Sequence, residues 1–108
     1  MSNKTKGYRV ERNIRLEFEK RGWVVVRAGG SLGDADLICL KGGKCILLQI
    51  KSTKKDVLYY YGVMKKRIKG FPFFVVVDFG YGCKKILPPQ KKITKEDGID
   101  LFKFLKNK

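Results

Sequence analysis

Asp36, Gln49 and Lys51 are the residues of this chain whose types and spacing could do chemistry. They lie in the stretch from Gly33 to Lys51, GDADLICLKGGKCILLQIK, which predicts a strand, a tight Gly42-Gly43 turn and a second strand. Taking the two glycines as the turn pairs Lys41 with Lys44, Leu40 with Cys45, Cys39 with Ile46, Ile38 with Leu47, Leu37 with Leu48 and finally Asp36 with Gln49. Side chains alternate along a strand, so Asp36, Gln49 and Lys51 share one face, and Leu37, Cys39, Ile46, Leu48 and Ile50 the other. A carboxylate, an amide and an ammonium therefore converge at one end of a mostly apolar hairpin. An ordinary cross-strand polar pair with a nearby salt bridge at a fraying sheet end is the alternative. Three features favour a functional site. Asp34 and Asp36 are the only acids between Glu19 and Asp56, the surroundings are strongly basic, and Gln49 interrupts the apolar series ILLQI. The same register extended outward sets Asp34 opposite Lys51, although Gly33 disfavours regular pairing there.

The whole chain narrows what that site can be. With 108 residues, 44% of them hydrophobic, the sequence suits one domain with a single core, here 1–108. It contains no histidine, which leaves carboxylates and lysines as the candidate acids, bases and ligands. Cys39, Cys45 and Cys83 make an odd count without CxxC spacing, so they read as small core residues and not as a disulfide framework or zinc site. No apolar run is long enough to cross a bilayer, and the charged N-terminus lacks the apolar segment of a signal peptide; a soluble, cytoplasmic protein is expected.

Charge points to the partner. Twenty-five Lys and Arg against 10 Asp and Glu give a net charge of +15. So large an imbalance is normally resolved by a polyanion, and nucleic acid fits better than a membrane surface, because the charge is spread over the chain without a basic amphipathic helix of the lipid-binding kind. Candidate phosphate contacts are Arg9, Arg12 and Arg27 near the N-terminus, Lys54 and Lys55 in the basic loop after Lys51, and Lys65 and Lys66 further on. For any one of these a solvated basic face is the competing reading.

The elements that must position the site follow from hydrophobic period. Residues 8 to 21, YRVERNIRLEFEKR, predict a helix closed by Gly22, with Glu11 heading the stripe that carries Ile14 and Phe18 into the core. An exposed first-turn Glu complementing the helix dipole is the other reading of Glu11. Trp23 to Arg27 predicts a buried strand, and AGGSLGDA a Gly-rich loop whose hydroxyl, Ser31, lies close in sequence to the acidic pair. Residues 56 to 69, DVLYYYGVMKKRIK, predict a second helix with Asp56 as N-cap, in which Tyr59, Tyr60 and Tyr61 span too wide an arc for all to be core. One or two of these rings are candidates for base stacking or a subunit contact. Phe73 to Val77 predicts a buried strand, Lys84 to Leu87 a short one, and Leu101, Phe104 and Leu105 a terminal helix packed on the sheet. The expected class is α/β, a central mixed sheet flanked by helices.

The order helix with Glu, strand, loop, D-x₁₂-Q-x-K across a hairpin, helix, strand resembles the PD-(D/E)xK nuclease superfamily. Within it, VERNIRLEFEKRGWVVVRAGGS followed by DADLICLKGGKCILLQIKS resembles the archaeal Holliday-junction resolvases, most clearly from Gly7 to Ser52. The resemblance implies a restriction-endonuclease-like fold and a homodimeric, metal-dependent endonuclease acting on branched four-way DNA. It further implies that Glu11, Asp36 and Gln49 ligate Mg²⁺ (or Mn²⁺), that Lys51 positions or activates the attacking water and offsets phosphate charge, and that Ser31 matches the family's loop hydroxyl. Asp34 stands as a reserve ligand. Gln49 departs from the motif, which has Asp or Glu there; an amide carbonyl can ligate a hard cation but contributes no charge. A catalytically silent binding protein on the same fold, or a nuclease with another DNA or RNA substrate, are the alternative readings.

Overall fold

Gly42 and Gly43, with φ of 52° and 82°, turn the central hairpin of a computed structural model that describes residues 3–30 and 32–107, with side chains from Gly7 onward. Two successive residues at positive φ make the turn whose twist matches that of the flanking strands. The strands it joins are β2 (Leu37–Lys41) and β3 (Lys44–Ser52), after β1 (Val24–Arg27). Their register is the one read from the sequence, Leu37 opposite Leu48 through to Lys41 opposite Lys44.

Further along lie β4 (Val57–Tyr59), β5 (Arg67–Ile68), β6 (Phe71–Asp78), β7 (Lys84–Leu87), β8 (Lys92–Thr94) and β9 (Ile99–Asp100). The main sheet runs β1-β2-β3-β6-β7-β9, with β5 paired to the start of β6. It is mixed: β3 and β6 are parallel, and the other pairs along the path are antiparallel. β4 and β8 form a separate two-stranded ribbon.

Helices α1 (Asn3–Glu19) and α2 (Leu101–Lys106) pack on the same face of the sheet. From α1 come Val10, Ile14 and Phe18, and from α2 Leu101, Phe104 and Leu105, which meet Leu37, Cys39, Leu48 and Val76. α1 ends with Gly22 N–H donating to the Glu19 carbonyl and Trp23 N–H to that of Phe18, the bonding of a glycine C-cap. Among the described residues the opposite face has no helix. The β4–β8 ribbon covers Val75, Val77 and Leu87 there through Leu58, Tyr60 and Ile93. Loop residues Leu32 and Val63, with Ile68, cover Leu47 and Phe73.

Two sequence expectations are corrected. No helix forms over residues 56–69; β4 and β5 occupy it, joined by irregular chain. The run Val57-Leu58-Tyr59-Tyr60 has β propensity, its partner β8 lies far along the chain, and Lys69-Gly70, both at positive φ, turn β5 back into β6. Nor is β1 a buried strand. It lies at the sheet edge, where Trp23 just before it is buried but Val24 and Val26 stay 60% and 47% exposed.

Candidate functional site

Asp36 leaves the loop just before β2, where the backbone already belongs to the sheet: its N–H donates to the Leu48 carbonyl and its carbonyl accepts from Ala28 N–H. Regular pairing stops at Leu37, so the Ile50 N–H has no strand carbonyl facing it from β2, and the Asp36 side chain takes that place. Asp36 Oδ2 accepts from Ile50 N–H at 2.7 Å and from Gln49 Nε2 at 3.1 Å. The predicted juxtaposition of Asp36 and Gln49 thus exists, made by side chains at the point where the ladder ends.

Gln49 is buried in the middle of β3, beside Val75 of β6. Donation by its NH₂ to Asp36 fixes the amide's orientation, leaving its oxygen as the atom it can offer elsewhere. Lys51, two residues on and on the same face, is exposed. Burial pushes the Asp36 carboxyl above its usual value of 3.8; the Ile50 N–H and the Lys51 charge pull it down, Asp34 pushes it up, and Arg27 lowers it. Desolvation dominates, so the fold favours the neutral carboxyl more than water does, and a nearby cation would favour the ionised form.

Glu11 comes from α1, on the sheet face opposite the one that carries Gln49 and Lys51, and Arg27 is the group that links it to Asp36. Its Oε2 lies 3.0 Å from Arg27 Nε at the end of β1, and the same guanidinium stabilises ionised Asp36. Both carboxylates therefore feel one cationic group. Arg27, read from the sequence as a phosphate contact, is also 5.9 Å from the Tyr8 ring centroid. Among the described residues no group of three or more His, Cys, Asp or Glu is arranged to hold a metal ion. A cation here would rest on Glu11, Asp36 and the Gln49 amide, completed by water and phosphate oxygens, a donor set that suits a hard ion such as Mg²⁺.

Asp34 is not opposite Lys51. Its Oδ2 accepts from Val63 N–H at 2.6 Å, and the single Tyr60 hydroxyl proton is shared between the Val63 carbonyl at 3.0 Å and, more weakly, Asp34 Oδ2 at 3.5 Å. Tyr60 is 2% exposed, and burial together with Asp34 pushes its phenol up to about 12. Gly62 completes this latch: a Cβ there would sit 2.4 Å from both Asp34 Oδ2 and the Tyr60 oxygen. Sequence reasoning missed the latch and the Glu11–Arg27 pair. A glycine directly after three tyrosines and an acid left over beside Asp36 were the signals for the first.

Ser31 lies outside the described residues. The basic candidates are all exposed: Arg9 and Arg12 on α1, Arg27 on β1, Lys54 and Lys55 after β3, Lys65 and Lys66 before β5.

A family model for the archaeal Holliday junction resolvase matches residues 2–80. The crossover junction endodeoxyribonuclease Hjc of Sulfolobus acidocaldarius is 34% identical over 79 residues, covering 68% of this chain and 54% of that protein. That of Sulfurisphaera tokodaii is 35% identical over 78 residues, 68% and 53%. The match spans about half the length of these relatives. Two solved structures share the fold. Hjc of Archaeoglobus fulgidus, a Holliday junction resolvase from an archaeal hyperthermophile, superposes with a TM-score of 0.72 at 19% identity over 94% of this chain and 96% of that one. A bacterial homing endonuclease gives 0.62 at 19%, over 95% and 84%.

Proposed function

We propose, for a chain that belongs to the archaeal Holliday junction resolvase family, that it is a divalent-metal-dependent endonuclease cutting branched four-way DNA, with residues 1–108 acting as one nuclease-like domain. The observation that carries the reading is the corner where Asp36 accepts from Gln49 and Ile50, beside Lys51. Glu11, Asp36 and the Gln49 carbonyl would hold Mg²⁺, with Mn²⁺ as a substitute. When bound, such an ion polarises the scissile phosphate and lowers the pKa of a water.

The chain's own residues do the rest. The Ile50 N–H and the Gln49 amide hold Asp36 in one orientation, so its carboxylate need not reorganise on loading. Lys51 extends its ammonium from the same face of β3, where it offsets charge on the phosphate and orients the attacking water. Arg27 pairs with Glu11 in the free protein, and would turn to a phosphate if a cation took over the carboxylates. Arg9, Arg12, Lys54, Lys55, Lys65 and Lys66 track the DNA backbone, and the resemblance adds Ser31 as a further hydroxyl. A homodimer, supported by the resemblance, would present two such sites to paired strands. No described helix is long and apolar enough to cross a membrane.

One observation favours a second reading, a binding protein without turnover: a neutral amide stands where the motif has a carboxylate. Incubation of a labelled four-way junction with Mg²⁺, Mn²⁺ or EDTA separates the two. Metal-dependent cleavage abolished by Asp36→Asn, with binding retained, supports the enzyme; cleavage in EDTA, or none with either metal, overturns it.

A further inference from the structure

The three consecutive tyrosines do two different things. Leu58 and Tyr60 point into the core beneath the β4–β8 ribbon, so by alternation Tyr59 and Tyr61 point out, and they are 55% and 76% exposed. Backbone pairing continues past β4, since Tyr60 N–H donates to the Lys91 carbonyl. Each outer ring has a lysine at hand: Lys92 is the strand partner of Tyr59, and Lys91 Nζ lies 5.9 Å from the Tyr61 ring centroid. Lys54 and Lys55 precede the ribbon and Lys65 and Lys66 follow it, all exposed.

We propose that Tyr59 and Tyr61 form a stacking platform for unpaired DNA bases, which the Asp34–Tyr60–Gly62 latch holds in fixed relation to Asp36. This rests on the reading of the chain as a DNA endonuclease and adds where, and by what contact, it senses non-duplex structure. Aromatic faces set among lysines suit a single strand, because every base has a face to stack and every nucleotide a phosphate to neutralise. Tyr59 ends β4 and Tyr61 lies two residues on, so the chain between them spans at most about 7 Å, close to twice the ~3.4 Å rise of a stacked strand. A stretched strand can thus lay one base on each ring, whereas bases inside a duplex are already stacked on their neighbours. The latch links this platform to the site: Tyr60, between the two rings, reaches Asp34, which lies two residues from Asp36.

The test is binding in EDTA, where cleavage plays no part, measured by anisotropy of labelled oligothymidylate, a four-way junction with unpaired bases at its centre, and a fully paired duplex. The double variant Tyr59→Ala/Tyr61→Ala is expected to lose roughly tenfold or more on oligothymidylate and a similar factor on the junction, and less than about twofold on duplex. Tyr59→Phe/Tyr61→Phe, which keeps the rings, is expected to bind like the parent. Unchanged affinity for oligothymidylate, or an equal loss on duplex, overturns the proposal. So does a change in sedimentation mass of the alanine variant, because the rings would then face a second copy of the chain. A parent that binds but does not cut would overturn the enzymatic reading and leave the platform standing.

Discussion

Gly62→Ala places a methyl group 2.4 Å from Asp34 Oδ2 and 2.4 Å from the Tyr60 oxygen, and the Tyr60 ring cannot give way freely because it is 2% exposed, so Asp34 must move. The expected consequence is loss of the Asp34–Val63 bond, now 2.6 Å long. A hydrogen bond to a charged group contributes about 1.5–3 kcal/mol. Restricting the unfolded chain by replacing Gly with Ala returns about 0.4–1 kcal/mol, so the net loss is about 1–2 kcal/mol. For a domain of this size each kcal/mol moves Tm by about 4–8 °C. Thermal and denaturant melts of the parent, Gly62→Ala, Asp34→Ala and the double variant form a thermodynamic cycle. If the methyl acts in part by displacing Asp34, the double variant loses less than the sum of the two single losses, the remainder being the contact with Tyr60. Additive losses, or a Gly62→Ala protein as stable as the parent, would refute the latch.

Two further predictions concern the carboxylate site. Folding raises the Asp36 pKa above 3.8, so the folded chain favours the protonated form, and the stability this confers is present below that value and lost as pH rises through the folded pKa. Asp36→Asn, which stays uncharged, is therefore expected to melt higher than the parent near neutral pH in EDTA, with the difference shrinking as pH falls; a difference that grows at low pH would contradict the desolvation argument. Gln49→Glu replaces the donor now 3.1 Å from Asp36 Oδ2 with a second carboxylate. It is expected to lower Tm in EDTA and to raise the Mg²⁺-induced gain in Tm above the parent's, and equal gains would place Gln49 outside the metal's reach.

The hairpin and its polar end were legible because period-2 alternation and a two-glycine turn fix register locally, so Asp36 and Gln49 could be paired by counting. α1, β6, β7 and α2 were legible for a similar reason: each carries its own apolar period. What was not legible depends on partners far along the chain. Val57 to Tyr59 became a strand because it pairs with Lys92 to Thr94, and Asp34 became a latch because Tyr60 and Val63 fold back onto it. The helix reading of 56–69 failed because its apolar residues fit a helix face only loosely, while its tyrosines favour strands. The exposure of Val24 and Val26 follows from β1 being an edge, which no local pattern announces. The Glu11–Arg27 pair spans α1 and β1, so only their packing reveals it.

The central claim is that Glu11, Asp36, Gln49 and Lys51 work together on a DNA phosphate with a divalent ion. Its most direct test is single-turnover cleavage of a labelled four-way junction in Mg²⁺ by the parent and by Asp36→Asn, each first shown to bind the junction. The account predicts cleavage by the parent, loss of cleavage by the variant and similar binding by both. Equal cleavage by the two proteins would contradict it.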